Sequence, residues 1–159
     1  MMIRMLKTLV QLIFVLFISF TLAIMVGSNK DKILNKFKKN LSLLDRWMKI
    51  LENGQSIAAY LQNNHYCNVA VYGLGMIGEH FVKQLEDTDV NISYVIDKNA
   101  MSVNIGGISI YRPGDKLPQA DVVVVTPVWD FETIKERLSE CVRCPIISLS
   151  EVIEGNRHV

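Results

Sequence analysis

The chain has 159 residues, half of them apolar, with 17 Lys and Arg against 16 Asp and Glu. That length suits one folded domain with a core of its own and excludes two large ones. The near balance of charge, with no motif of the kind that reads RNA or DNA, excludes nucleic acid as an expected partner.

The charge is unevenly spread. Between Lys30 and Ile50 seven basic residues stand against Asp31 and Asp45, whereas from Leu51 onward fourteen acids face eight Lys and Arg. A basic stretch beside an apolar one points to an anionic membrane surface. Three cysteines, Cys67, Cys141 and Cys144, at no framework spacing, suit a reducing compartment better than a disulfide scaffold.

Residues Leu9 to Val26 carry no charge, and only Gln11, Ser19 and Thr21 interrupt the apolar run. With Thr8 and Gly27 the run has about twenty residues, which at about 1.5 Å each span roughly 30 Å, the thickness of a bilayer's hydrocarbon core. Residues 1–28 therefore read as a transmembrane anchor. Arg4 and Lys7 also make a basic start for a cleaved signal, but no A-x-A site follows. Five lysines between Lys30 and Lys39 outweigh Arg4 and Lys7. The positive-inside rule then gives a single pass in the cytoplasmic membrane, with the C-terminal part in the cytoplasm.

Residues 29–64 form a basic, amphipathic helical segment. Leu34, Phe37, Leu41, Leu44, Met48 and Leu51 recur at alternating steps of three and four, one apolar stripe that ends at Asn53-Gly54. The stripe is expected either to pack on the globular domain or to pair with a second copy through the 34–51 helix. The lysines on the polar face are expected against lipid headgroups. A shorter helix over 55–62, with Ile57, Tyr60 and Leu61 on one side, leads to the Asn63-Asn64 break.

Residues 65–159 carry the clearest pattern. The apolar run Val69–Tyr72 reads as a buried strand, followed at once by Gly73-Leu74-Gly75-Met76-Ile77-Gly78 and a helical pattern through Phe81, Val82 and Leu85. A second strand, Val90 to Ile96, ends on Asp97. This is the strand, glycine turn, helix, strand and acid order of a dinucleotide-binding unit. Gly73 is expected to form the tight turn, Gly75 to admit a pyrophosphate close to the backbone, and Gly78 to let the helix sit close on the sheet. The phosphates are expected at the positive end of the helix near Met76. Asp97 is expected to accept from a ribose diol, favouring NAD over NADP, with Lys98 beside it. The alternative is the same fold without a ligand.

Downstream, Ile108–Tyr111 reads as a short strand and Arg112-Pro113-Gly114-Asp115 as a turn. The β-branched run Val122–Val125 reads as a strand covered on both faces, hence a parallel sheet with helices on each side. A helix over 130–140 and a last strand over 146–149 follow, with Ser150 expected to cap a final turn. The fold class is α/β, a doubly wound parallel sheet of about five strands in the order 3-2-1-4-5. The third strand is expected at the edge, without a helix of its own.

Thr126 and Pro127, after the fourth strand, border the crevice where a ligand's second half would lie, and Thr126 is a candidate partner for a ribose or phosphate. Tyr94 and Lys98 share the spacing of a short-chain dehydrogenase pair, but Tyr94 lies in a strand, so the two do not share a helical face. Cys141-Val142-Arg143-Cys144 ends a helix instead of beginning one, which speaks against a redox motif. Without a second pair of ligands it also makes no zinc site. His80 and Glu79, in the first turn after the glycines, read as exposed helix residues. No catalytic residue and no metal site is assigned.

On VAVYGLGMIGEHF, YVIDKNA and D-x-VVVVTP, the region from about Asn68 to Ile153 resembles the small Rossmann-like domains of bacterial cell-surface polysaccharide pathways. These include the CoA-binding-like domain of membrane sugar-nucleotide dehydratases and the N-terminal domain of sugar-nucleotide acetyltransferases. The resemblance implies that Gly73, Gly75, Gly78 and Asp97 line a pocket for NAD or a sugar nucleotide, and that a polysaccharide-synthesis enzyme is a partner. The acetyltransferase-type glycine-glycine-histidine turn is missing, and no catalytic domain follows. The expected function is a membrane-anchored accessory or sensory module. The alternatives are an oxidoreductase or epimerase completed by a partner, and a structural interaction protein.

Overall fold

A computed structural model describes the backbone of residues 2–99, 104–105 and 107–155, and the side chains of 27–99 and 107–155. The chain divides into two compact units, Met1–Lys38 and Lys39–Val159.

The first helix, α1 (Met2–Glu52), is continuous where two segments were expected. Among the described residues no helix is long and apolar enough to cross a membrane. The expected span, 9–26, lies outside the residues whose side chains are described.

The end of α1 packs by a different face from the one its periodicity picks out. Leu43, Trp47 and Ile50, at steps of four and three, are buried, whereas Leu34, Phe37, Leu41, Met48 and Leu51 are exposed and only Leu44 is partly covered. Of the stripe's residues from Lys39 onward, Leu44 alone packs against the core. Arg46 pins the buried face in place, donating to Glu154 and, at 3.2 Å, to the Ser150 hydroxyl. The helix α2 (Ala58–Asn63) follows, with Ile57 and Leu61 fully buried.

The sheet is built from β1 (Asn68–Tyr72), β2 (Asn91–Ile96), β3 (Asn104–Ile105), β4 (Ile108–Tyr111), β5 (Val122–Val125) and β6 (Ile146–Ser148). Its order is β3-β4-β2-β1-β5-β6. Five strands run parallel, in the expected order, and β3 alone is antiparallel. Among the described residues the third parallel strand, β4, has no helix of its own, but β3 displaces it from the edge.

The four valines of β5 are all fully buried because helices cover both faces. Val69, Val71, Val122 and Val124 face one layer with α3 (Met76–Leu85) and the end of α1. Ala70, Ile96, Val123 and Val125 face α4 (Phe131–Ser139) through Ile134 and Leu138. Ser148, not Ser150, starts the last helix, α5 (Leu149–Gly155), its hydroxyl accepting from the Ser150 amide at 3.2 Å.

At the amino ends of the strands Asp121 holds the chain in register. Its Oδ2 accepts from the amides of Cys67 at 2.9 Å and Asn68 at 2.6 Å, joining the entry of β1 to that of β5.

Two neighbouring leucines separate the faces of α1. Leu43→Ala removes a fully buried side chain and is expected to cost about 2–5 kcal/mol. Leu41→Ala, on the exposed stripe, is expected to stay within about 0.5 kcal/mol. Urea unfolding of each variant measures both, and equal costs would show that the stripe carries the packing.

Candidate functional site

The residues that the sequence singled out lie at the carboxyl ends of β1, β2 and β5. The sheet's connections diverge here: β1 leads through α3 to β2 on one side, and β5 through α4 to β6 on the other. In open α/β sheets such a point leaves a crevice.

Gly73 ends β1 at φ +93°, a conformation costly for other residues. Its amide donates to the Ile96 carbonyl at 2.8 Å. A Cβ there would lie 2.9 Å from both Pro127 Cδ and Thr126 Oγ1. Gly78, buried in the first turn of α3, has even less room, because a Cβ would stand 2.0 Å from the Gly73 carbonyl oxygen. Both glycines are thus demanded by the packing of the turn itself.

Gly75 differs. It is the residue before α3, with φ −74° and ψ −177°, open to any residue, and nothing lies within 4 Å of where its Cβ would be. Met76 beside it is 61% exposed. Among the described residues no backbone carbonyl accepts from the amides of Gly75, Met76 or Ile77. The turn therefore presents free N–H groups at a helix start, next to open space. Ile77 points the other way, into the core.

Two side chains fix the turn. The Thr126 hydroxyl, only 4% exposed, donates to the Gly73 carbonyl at 2.8 Å and more weakly to that of Tyr72 at 3.2 Å. Asp97 reaches across from β2: its Oδ2 accepts from the Leu74 amide at 2.6 Å and its Oδ1 from the Asn99 amide at 2.7 Å. Asp97 thus lies against the glycine turn, and a carboxylate with two such bonds keeps further acceptor capacity. Thr126, in contrast, spends its proton on the protein. Pro127 is the wedge against Gly73.

Lys98, exposed, borders a cleft of about 400 Å³ on the α4 side of the sheet. Tyr72, Leu117, Arg137, Leu138 and Cys141 also line that cleft. Nothing in the sequence singled out Tyr72 or Arg137. The parity of β1, which turns Tyr72 to the same face as Ala70, was the one available signal. Burial pushes the Tyr72 phenol above its ordinary range, Arg137 opposing and Asp97 and Asp130 assisting.

The other candidates stay separate. Tyr94 is fully buried in β2, edge-on to Tyr111, with its phenol pushed up to about 12, chiefly by burial. Lys98 is exposed, so the pair shares no site. Burial raises the Cys144 thiol, the reverse of what a nucleophile needs. Glu79 and His80 are exposed on α3, and the described residues hold no metal-binding cluster.

No protein-family model matches the chain, and neither a curated protein nor a solved structure shows significant similarity to it. The class that the coordinates define is a parallel α/β sheet with a glycine turn at its switch point.

The glycines are expected to differ sharply on substitution. Gly78→Ala drives a methyl into the backbone and is expected to cost about 3 kcal/mol. Gly75→Ala, where the space is open, is expected to cost no more than about 1 kcal/mol. Thermal or urea unfolding reads both, and a tolerant Gly78 would contradict the close approach of turn and helix.

Proposed function

We propose that residues 65–159 are a Rossmann-like nucleotide-binding module for NAD or a sugar nucleotide. The pyrophosphate lies over Gly75, taking the amides at the start of α3 and the positive end of its dipole. Asp97 accepts from the ribose diol while it holds the Leu74 amide. Thr126 and Pro127 act indirectly, by keeping Gly73 in its turn. The module is held at the cytoplasmic membrane by the apolar 9–26 run and faces the cytoplasm. It serves as an accessory or sensory subunit in cell-surface polysaccharide synthesis, leaving the chemistry to a partner enzyme.

One observation carries the nucleotide reading. Gly73 and Gly78 are explained by the packing of the empty protein, whereas Gly75 is required neither by its dihedrals nor by any neighbour within 4 Å. A pyrophosphate seated on the backbone supplies the missing reason for a glycine there. The exposed stripe on α1 supports the rest of the assembly: Leu34, Phe37, Leu41, Met48 and Leu51 stand open at heptad spacing. They suit pairing of the 34–51 stretch with a second copy, its lysines against lipid headgroups.

A thermal-shift panel of NAD, NADP, UDP-sugars and CoA tests the reading. A ligand at about 100 times its Kd stabilises by about 2.7 kcal/mol, so one member is expected to raise the Tm clearly. Gly75→Val is expected to keep the fold and lose that shift. A panel without any shift, or a shift that survives Gly75→Val, would defeat the reading.

A further inference from the structure

The cleft that Lys98 borders is not accounted for by the glycine turn. It lies on the opposite layer from α3, among the side chains that face α4. Its existence follows from the connection after β4: the chain reaches β5 through the irregular stretch 112–121, not through a helix. The carboxyl ends of β1 and β2 are consequently walled by a loop on one side and the end of α4 on the other. Pro113, Gly114 and Leu117 come from the loop, and Arg137, Leu138 and Cys141 from α4 and its exit.

The lining has two chemistries. Tyr72, Ile96, Leu117 and Leu138 make it apolar within, while Lys98 and Arg137 contribute two positive charges. Among the described residues neither cation has an acid within ion-pair distance. Asp97 and Asp130 act on Tyr72 electrostatically, but Asp97 is already engaged by two backbone amides. The volume, about 400 Å³, falls in the range of small-molecule sites. Apolar walls with a few placed charges are also the usual make-up of such sites.

We propose that this cleft binds a phosphate monoester carried on a flat apolar body, at a place separate from the glycine turn. The body lies against Tyr72, Leu117 and Leu138. The phosphate takes the Arg137 guanidinium, whose planar fork matches two phosphate oxygens, and the Lys98 ammonium as a point charge. The pairing is favoured because a dianion meets two cations that, among the described residues, no acid pairs.

Cys141 lines the cleft and is exposed, whereas Cys67, also exposed, lies just before β1 at the opposite ends of the strands. Alkylation of the full chain, followed residue by residue by mass spectrometry, therefore carries its own reference. Phenyl phosphate is expected to slow labelling of Cys141 several-fold and to leave Cys67 unchanged. Inorganic phosphate and phenol, at the same concentration, are each expected to protect far less. The double variant Lys98→Gln with Arg137→Gln is expected to lose the protection, whereas Arg137→Lys keeps part of it. Gly75→Val is expected to keep it in full, whatever that change does to nucleotide binding. Unchanged Cys141 labelling, protection that survives loss of both cations, or protection abolished by Gly75→Val would each overturn the proposal. Slow labelling of the half-buried Cys144 reports that every variant remains folded.

Discussion

The candidate site rests on how two side chains hold one peptide turn. Thr126, from the end of β5, donates its hydroxyl proton to the Gly73 carbonyl, and Asp97, from the end of β2, accepts from the Leu74 amide. Three adjacent strands are thereby tied at their carboxyl ends around the Gly73–Leu74 peptide. The carboxylate bond is charge-assisted and half-buried, so it is stronger than an ordinary amide–carbonyl contact. With the turn fixed from both sides, α3 starts so close to the sheet that only glycine fits at Gly78. Among the described residues no backbone carbonyl accepts from its first amides. An anion site here needs no movement to form, which lowers the ordering cost of binding.

The other layer is organised by burial alone. Tyr94 is packed at zero exposure beside Tyr111, and among the described residues its hydroxyl has no hydrogen-bond partner. An unpaired buried hydroxyl is a cost, tolerated because the ring fills space under α4 that a smaller side chain would leave void. Because no helix follows β4, this layer also ends early and leaves the cleft at Lys98 and Arg137. The two layers of one sheet thus end differently, one on open backbone amides and the other on an apolar hollow with charged borders.

The sheet was legible in the sequence because parallel strands leave a strong trace. The run Val122–Val125 can only be covered on both faces, and the spacing from Gly73 to Asp97 admits one strand–helix–strand unit. The places where reading failed share a cause: they depend on partners remote in the chain. The stripe of α1 is the better helical pattern, yet Leu43, Trp47 and Ile50 meet the core, since the domain's open face lies opposite them and periodicity carries no information about which stripe finds a partner. The bond from the Thr126 hydroxyl to a carbonyl more than fifty residues earlier likewise leaves no local trace. Tyr72 and Arg137 carry no local signal, since the cleft between them is made by a missing helix.

The central claim is that the amides of Gly75, Met76 and Ile77 form a ready anion site whose glycine is kept open for a ligand. Titrating ADP into the isotopically labelled chain and following backbone amide resonances tests it directly. The account predicts that these three amides shift most, with Leu74 and Asp97 moving less because they already hold each other. Shifts confined to other parts of the domain, or none at these three positions, would contradict it.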